Sequence, residues 1–115
     1  MSASVYKINA TGAAAIAASM TVPAGRAYRL ISVSVKFSAA PTTSESLTIT
    51  LDANAGAAYD ALLYTINPSL LATTVICWFP DQPLYLEGGD AIDVAFTNTD
   101  TRTYGVQITV VEAVT

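Results

Sequence analysis

The residues of this sequence that are best suited to catalysis or ligand binding are carboxylates, and they lie at turns. The segment "PLYLEGGDAIDVAFTNTDTRTYGVQITV", residues 83–110, contains the Gly-Gly-Asp of "EGGD" at 87–90. This spacing fits neither GxGxxG nor GxxxxGK[ST], and the motif opens a predicted strand where a phosphate loop requires a helix N-terminus. Asp90 and Asp93 are three residues apart, so a regular strand points them to opposite faces. We interpret both as structural residues and predict no catalytic pair.

The remaining chemistry is limited by missing residue types. The sequence has no histidine and one cysteine. Histidine is the usual general base near neutral pH and a frequent metal ligand, so Ser-His-Asp triads and the common zinc sites are excluded within one chain. Carboxylates at one end of the fold could still bind calcium, although no EF-hand spacing is present. We predict a protein that is not an enzyme and has no cofactor, with calcium as a minor alternative.

The composition predicts a protein partner. A chain of 115 residues fits one domain, and its content of 52% apolar and 12% charged residues compares with ~25% charged in typical soluble domains. A domain of this size buries roughly two-thirds of its unfolded surface, so part of the apolar complement must remain exposed, as at interfaces. The most apolar stretch, residues 12–20, is too short to span a bilayer as a helix. We therefore expect no membrane partner.

The charge argues against a nucleic-acid partner, and the single cysteine excludes a disulfide within the chain. The net charge is −4 with five scattered Lys and Arg residues, and nucleic-acid binding depends on neutralising phosphates with such residues. We predict no nucleic-acid partner. Arg26 and Arg29 in "GRAYRL" are interpreted as one solvated arginine on each face of a strand. Cys77 lies among apolar neighbours in "TTVICWFP" and is predicted to be a small buried hydrophobic residue.

Alternation of apolar and polar residues predicts the fold. Several runs have a period of two, which places one face of each strand in a core and leaves the other face wetter. Turn clusters of Gly, Pro, Asn and Asp separate these runs at intervals of about ten residues, as in sandwiches and barrels. The predicted strands cover residues 19–22, 26–38, 46–53, 59–66, 72–79, 84–87, 91–97 and 104–112. We predict an all-β, single-domain antiparallel β-sandwich, jelly-roll-like, with about eight strands.

The chain is predicted to divide near residue 18. Residues 1–18, "MSASVYKINATGAAAIAA", are assigned as an N-terminal arm or an extra strand, or as an element that orders on a neighbour. Residues 19–115 are assigned to the sandwich domain.

Two predicted strands are apolar on both faces, so the face that points away from the core must also be covered by protein. In residues 59–66 Tyr64 shares a face with Leu62, while Leu63 lies on the other; in residues 72–79 Trp78 and Phe79 lie on opposite faces. A small sandwich has one core, so the second cover is a loop or arm of the same chain or a neighbouring subunit. We favour the neighbour and predict a homo-oligomer, with a trimer as the first choice. Tyr64, Trp78 and Phe79 are the predicted contact residues.

Two long segments of the sequence resemble a known family of proteins. Residues 22–64, "VPAGRAYRLISVSVKFSAAPTTSESLTITLDANAGAAYDALLY", followed by residues 83–110 with their L-x-L-x-x-G-D-x-I-x-V pattern, resemble small β-sandwich (jelly-roll-like) virion proteins of tailed bacteriophages, of the capsid decoration or cement type. The pattern also occurs in jelly rolls that are not viral. The resemblance implies a structural protein on the capsid surface whose partners are its own copies and the major capsid protein. It brings no catalytic residues. Arg26 and Arg29 become candidate contacts with acidic patches of the shell.

Two alternatives remain open from the sequence. One is an accessory protein of the phage tail or fibre. The other is a carbohydrate-binding adhesion module, in which Trp78 with Tyr64, Tyr85 or Tyr104 would stack on sugar rings. The apolar run around Trp78 favours a core or interface position over a sugar platform.

Overall fold

The computed structural model describes residues 5–113, which form nine strands in two antiparallel sheets. Each predicted strand overlaps an observed one, and the all-β sandwich prediction is confirmed. The strands are β1 (Val5–Gly12), β2 (Ile16–Thr21), β3 (Ala27–Phe37), β4 (Leu47–Asp52), β5 (Ala61–Ile66), β6 (Val75–Trp78), β7 (Leu84–Glu87), β8 (Ala91–Phe96) and β9 (Tyr104–Glu112). A 3₁₀ turn (Ala57–Tyr59) precedes β5, and one short helix, α1 (Pro68–Leu71), joins β5 to β6.

The strand order is that of a jelly roll. One sheet runs β1-β9-β3-β6, with β7 also paired to β3, and the other runs β2-β8-β4-β5. The pairs are nested, β1 with β9, β2 with β8, β3 with β6 and β4 with β5, as when one long hairpin wraps into two sheets. This is the double-sheet arrangement of the jelly-roll class.

The core lies between the two sheets, where alternate side chains of each strand point inward. The Phe37 and Phe96 rings meet across it with centroids 5.5 Å apart and planes tilted by 59°, a favoured geometry for aromatic pairs. The most deeply buried aliphatic residues come mainly from the four central strands, β3, β4, β8 and β9, and include Val33, Val35, Leu47, Ile49, Ile92, Val94, Ile108 and Val110.

A β-bulge interrupts the alternation of β3. Its register against β9 shifts between Leu30 and Ser32, so one residue is inserted and both Leu30 and Val33 point into the core. Regular alternation would place Ile31 on the same face as Val33, Val35 and Phe37, but the bulge leaves Ile31 half-buried. On the other side of β3, β6 pairs with residues 33–36 and β7 with residues 27–30. Residues 79–83, "FPDQP", leave the sheet between them.

The N-terminal segment forms part of the sandwich. Residues 5–12 pair with β9 along eight positions, while Ile16 and Ala18 are buried in the core. The predicted division between residues 18 and 19 thus falls inside β2. The Ala-rich run hid the first half of β2, residues 16–18, because alanine has low β-propensity. Residues 1–4 of the predicted arm lie outside the described residues.

The prediction for Cys77 is wrong, because its side chain is exposed. Ile76 is buried, Trp78 packs against the core, and Cys77 lies between them on the outer face of the sheet. The apolar neighbours of Cys77 suggested burial, but alternation in a strand sends consecutive side chains to opposite faces. The pairing of β6 with Val33 and Val35 of β3 determines which face of β6 points into the core.

The "EGGD" turn binds one end of the sandwich together, in keeping with its predicted structural role. The Asp90 carboxylate, 8% exposed, accepts hydrogen bonds from the backbone N–H groups of Glu87 (2.9 Å) and Asn54 (2.8 Å). The Gly89 N–H donates to the Val22 carbonyl at 2.9 Å. Three loops are therefore joined through this turn.

The opposite end is held by side chains of the loop before β9. Asn98, 3% exposed, donates from Nδ2 to the carbonyls of Ala14 (2.8 Å) and Arg102 (2.9 Å). The Asp100 carboxylate accepts from the backbone N–H groups of Thr43 (2.9 Å) and Thr42 (2.8 Å) and from Thr43 Oγ1 (2.7 Å). Both ends of the sandwich are thus closed by hydrogen bonds.

The close packing of the first turn is testable at Gly89. This residue has φ +91°, and an added Cβ would lie 2.5 Å from Asn54 Cγ, whereas Gly25 has φ +79° with open space around it. Left-handed geometry costs a residue with a side chain about 1–2 kcal/mol, which we expect for Gly25→Ala. Gly89→Ala should lower the free energy of unfolding by about 1 kcal/mol more through the added contact. Urea unfolding measures both. Measured against Asn54→Gly alone, Gly89→Ala should lose this extra cost, because Asn54 Cβ also lies 2.9 Å from the added atom and must be removed.

The second end is testable through pH. Hydrogen bonds from Thr43 and Thr42 lower the pKa of Asp100 from 3.8 to about 2. Because the folded pKa is depressed, the ionised carboxylate stabilises the fold above its unfolded pKa, and this stabilisation is lost as pH falls toward 2. Asp100→Asn should therefore destabilise the protein at pH 7 and lose most of that effect by pH 2.5. Equal destabilisation at both values, measured by urea unfolding beside an Asp52→Asn control, would contradict this cause.

Candidate functional site

The open side of the sandwich lies between the last strands of the two sheets. β5 ends the four-stranded sheet, and β6 and β7 end the five-stranded sheet. Tyr64 of β5 and Trp78 of β6 stack across the gap, with ring centroids 5.7 Å apart and planes 21° from parallel. Both rings are half-buried and pack against the core. The contact joins the two sheets where they are otherwise uncovered.

A groove of ≈ 440 Å³ opens beside this pair. Its floor contains Tyr64 and Trp78, and one rim is the turn between β6 and β7, where Asp81 and Gln82 are exposed. The lining, here named the aromatic groove, consists of Leu63, Tyr64, Trp78, Phe79, Pro80, Asp81, Gln82 and Leu84. It combines flat apolar rings with one carboxylate and one amide.

Exposed apolar residues are concentrated in the elements that border this open side. Of the nine large apolar side chains well exposed in residues 5–113, seven lie in the segment from Tyr59 to Tyr85, which contains β5, α1 and β6 and ends in β7. We name this set the apolar side: Tyr59, Leu62, Leu70, Leu71, Val75, Phe79 and Tyr85. β5 and β6 are also edge strands, whose free backbone groups favour contact with another chain.

The outer face of the five-stranded sheet carries positive charge. Lys7, Arg29 and Lys36 alternate with inward-pointing residues on β1 and β3, so they share this face. Their neighbours across the sheet are mixed: Lys7 lies opposite Thr109, Arg29 opposite Val111 and Tyr85, and Lys36 opposite Gly105 and Val75. We name the three cations the basic face; Glu87, opposite Ala27, lies at its end. It contrasts with the protein's net charge of −4.

The predicted contact residues separate into two places. Tyr64, Trp78 and Phe79 come together in the aromatic groove, whereas Arg29 belongs to the basic face. Arg26 pairs with Glu112 at 2.6 Å, and this hydrogen bond and charge raise the pKa of Arg26 above its ordinary value. An exposed pair of this kind contributes little to stability, but it already neutralises Arg26.

Sequence reasoning missed the polar rim of the groove. The "PDQP" segment, residues 80–83, has the composition of a turn, yet it brings Asp81 and Gln82 beside Trp78. The available signal was a polar pair bracketed by prolines directly after an aromatic run. Of the other two proposed sugar platforms, Tyr85 is exposed on β7 and Tyr104 packs against the core beside Gly12.

The described part of the chain gives no support to a metal or membrane site. Within residues 5–113 no three His, Cys, Asp or Glu side chains are grouped so that they could hold a metal ion. No helix in this range is long and apolar enough to cross a membrane.

Comparisons with known proteins leave the family open. No protein-family model matches the chain, and no curated protein matches it. Among solved structures it is similar to the "Crystal structure of Agl-KA catalytic domain", with 14% sequence identity and a TM-score of 0.45. The match covers 98% of this chain and 26% of that chain. No conclusion about the function of this chain rests on that likeness.

Proposed function

We propose that this protein is a non-enzymatic structural protein of a tailed-bacteriophage virion, a capsid decoration protein that oligomerises and stabilises the shell. The observation that carries the proposal is the apolar side, where seven large side chains remain exposed along β5, α1, β6 and β7. Exposed apolar clusters of this kind mark surfaces that are covered by protein partners. An accessory role in the tail or fibre is the alternative location.

The first partner is a second copy of the chain. A trimer is the proposed state. In a closed trimer one patch of each subunit meets a different patch of the next, and the apolar side, which extends from Tyr59 to Tyr85, offers area for both. Phe79 and Tyr85, 60% and 64% exposed, are the strongest anchors, because large aromatics dominate interface energies. Trp78 contributes from beneath, since it is half-buried and packs against the core.

The second partner is the major capsid protein, contacted through the basic face. Lys7, Arg29 and Lys36 gather three of the chain's five basic residues on one sheet face. Such a face complements an acidic patch and improves both rate and specificity of docking. Arg26 is a weaker candidate than Arg29 because Glu112 already pairs with it.

The mechanism is thermodynamic linkage. A protein that binds assembled shell better than free shell subunits stabilises the assembled state by RT ln(1 + [L]/Kd), about 2.7 kcal/mol per site at a hundredfold excess over Kd. Repeated over many lattice sites, this resists outward pressure from packaged DNA. This function requires binding contacts and no catalytic step.

Self-association is tested by sedimentation at tens of micromolar protein. We expect a trimer for the wild type, and a monomer for the double variant Phe79→Ser and Tyr85→Ser, because each large aromatic at an interface contributes ~2 kcal/mol. Val5→Ser is the matched control, since Val5 is 62% exposed but lies on β1, the opposite edge of that sheet. These exposed positions are preferred to Trp78, whose truncation would also open the core. A wild type that sediments as a monomer contradicts the proposed assembly.

Shell binding is tested with capsids assembled without this protein. Added wild type should bind and raise the temperature at which shells disrupt. Arg29→Ala should weaken binding about tenfold, and Arg26→Ala less, with the attraction falling as salt increases. A protein that leaves shells unchanged but binds purified tails supports the tail alternative; binding to neither overturns the proposal. Deletion of residues 1–18 is unsuitable because it removes β1 and half of β2.

A further inference from the structure

We propose that the aromatic groove is a binding site for a neutral pyranose carbohydrate, in addition to the contacts of the apolar side. The site is built from the Tyr64–Trp78 stack and the Asp81–Gln82 rim. It goes beyond the structural role proposed above. Phe79 and Trp78 take part in both surfaces, whereas Tyr64, Asp81 and Gln82 belong to the groove alone.

The floor of the groove suits a sugar ring. A pyranose has an apolar face of C–H groups, which packs against the flat side of an aromatic ring, while its hydroxyls point outward. Tyr64 and Trp78 lie only 21° from parallel, so they form one aromatic stack rather than separate walls. Both pack against the core, which fixes their orientation before a ligand arrives and reduces the entropic cost of binding.

The rim supplies the complementary hydrogen-bonding groups. The Asp81 carboxylate accepts, the Gln82 amide both donates and accepts, and the Tyr64 hydroxyl does the same. Sugar hydroxyls require both functions. Pro80 and Pro83 flank the two rim residues, and their fixed φ angles limit the motion of the turn.

Charge, geometry and size select this ligand over others. The only ionisable groups lining the groove are Tyr64 and Asp81, so the carboxylate would repel phosphates and acidic sugars. A quaternary ammonium is favoured by an aromatic cage whose ring faces converge on the cation, whereas these rings are nearly parallel. The volume of ≈ 440 Å³ falls in the usual range for small-ligand sites, about 300–1,000 Å³.

The experiment uses Trp78 as its own reporter, because it is the only tryptophan in the chain. The full-length protein is titrated with neutral hexaoses, namely cellohexaose, maltohexaose, laminarihexaose and chitohexaose, while intrinsic fluorescence is followed. Polygalacturonate and choline are the comparison ligands. We expect a saturable change with at least one neutral hexaose and no such change with either comparison ligand.

Variants then assign the binding to the groove. Asp81→Ala and Gln82→Ala are exposed substitutions, and each should weaken sugar binding about tenfold, the expected loss of one or two hydrogen bonds. Asp52→Asn and Tyr85→Ser are controls with comparable exposure elsewhere, and both should bind normally. Equal urea unfolding of all variants shows that the fold is retained.

The two proposals can fail separately. Titrations are made at submicromolar protein and repeated with the Tyr85→Ser variant, so that self-association does not cover the groove. No response to any neutral hexaose at millimolar concentration overturns the inference, as does binding that is unaffected by both rim variants, or choline binding in place of sugar. A fluorescence change that follows protein concentration alone assigns the groove to a second copy of the chain, and overturns the sugar site while supporting assembly.

Discussion

The bulge in β3 marks the position around which the functional side of the molecule is arranged. Inserting Ile31 lets β3 point Tyr28 and Leu30 into the core on one side of the bulge and Val33 on the other. The strand on the other side of β3 is interrupted at the same position, with β6 paired to residues 33–36 and β7 to residues 27–30. The residues between them leave the sheet as the turn that carries Asp81 and Gln82. The rim of the aromatic groove thus lies beside the bulge.

The ends and the side of the sandwich are built differently. At the ends, Asp90, Asn98 and Asp100 turn their polar groups toward loop backbone and satisfy it. Such side chains are used for structure, and their hydrogen-bonding capacity is occupied. On the β5–β6 side, aromatic and aliphatic residues are left open to solvent, with polar groups only at the rim. The acidic turns that first suggested chemistry therefore hold the fold, whereas the aromatic run that suggested packing lines the groove.

The proposed contacts divide the surface by physical type. In these proposals the basic face binds an acidic patch of the shell through charge, and the apolar side binds a second copy through buried apolar area. The groove binds a sugar through ring stacking and a few hydrogen-bonding groups. Arg29 and Tyr85 are cross-strand neighbours, as are Lys36 and Val75, so the first two surfaces meet along β6 and β7. A trimer formed through the apolar side would leave Lys7, on β1 at the opposite edge of the sheet, free to dock.

The sequence by itself determined the strands, because alternation and turn residues are local signals: all eight predicted strands were found, as was the two-sheet class. It also supplied the reason for an interface, since β5 and β6 are apolar at consecutive positions. Tertiary pairing decided the rest. Only the register of β6 against Val33 and Val35 determined that Trp78 faces inward and Cys77 outward. Pairing with β9 made a strand of residues 5–12, and pairing with β8 extended β2 into the Ala-rich residues 16–18. The stacking of Tyr64 on Trp78 joins residues of different sheets, and Asp81 lies beside them in the turn where the strand next to β3 is interrupted. No local pattern encodes such relations, because they arise when separate strands are brought into register around one core.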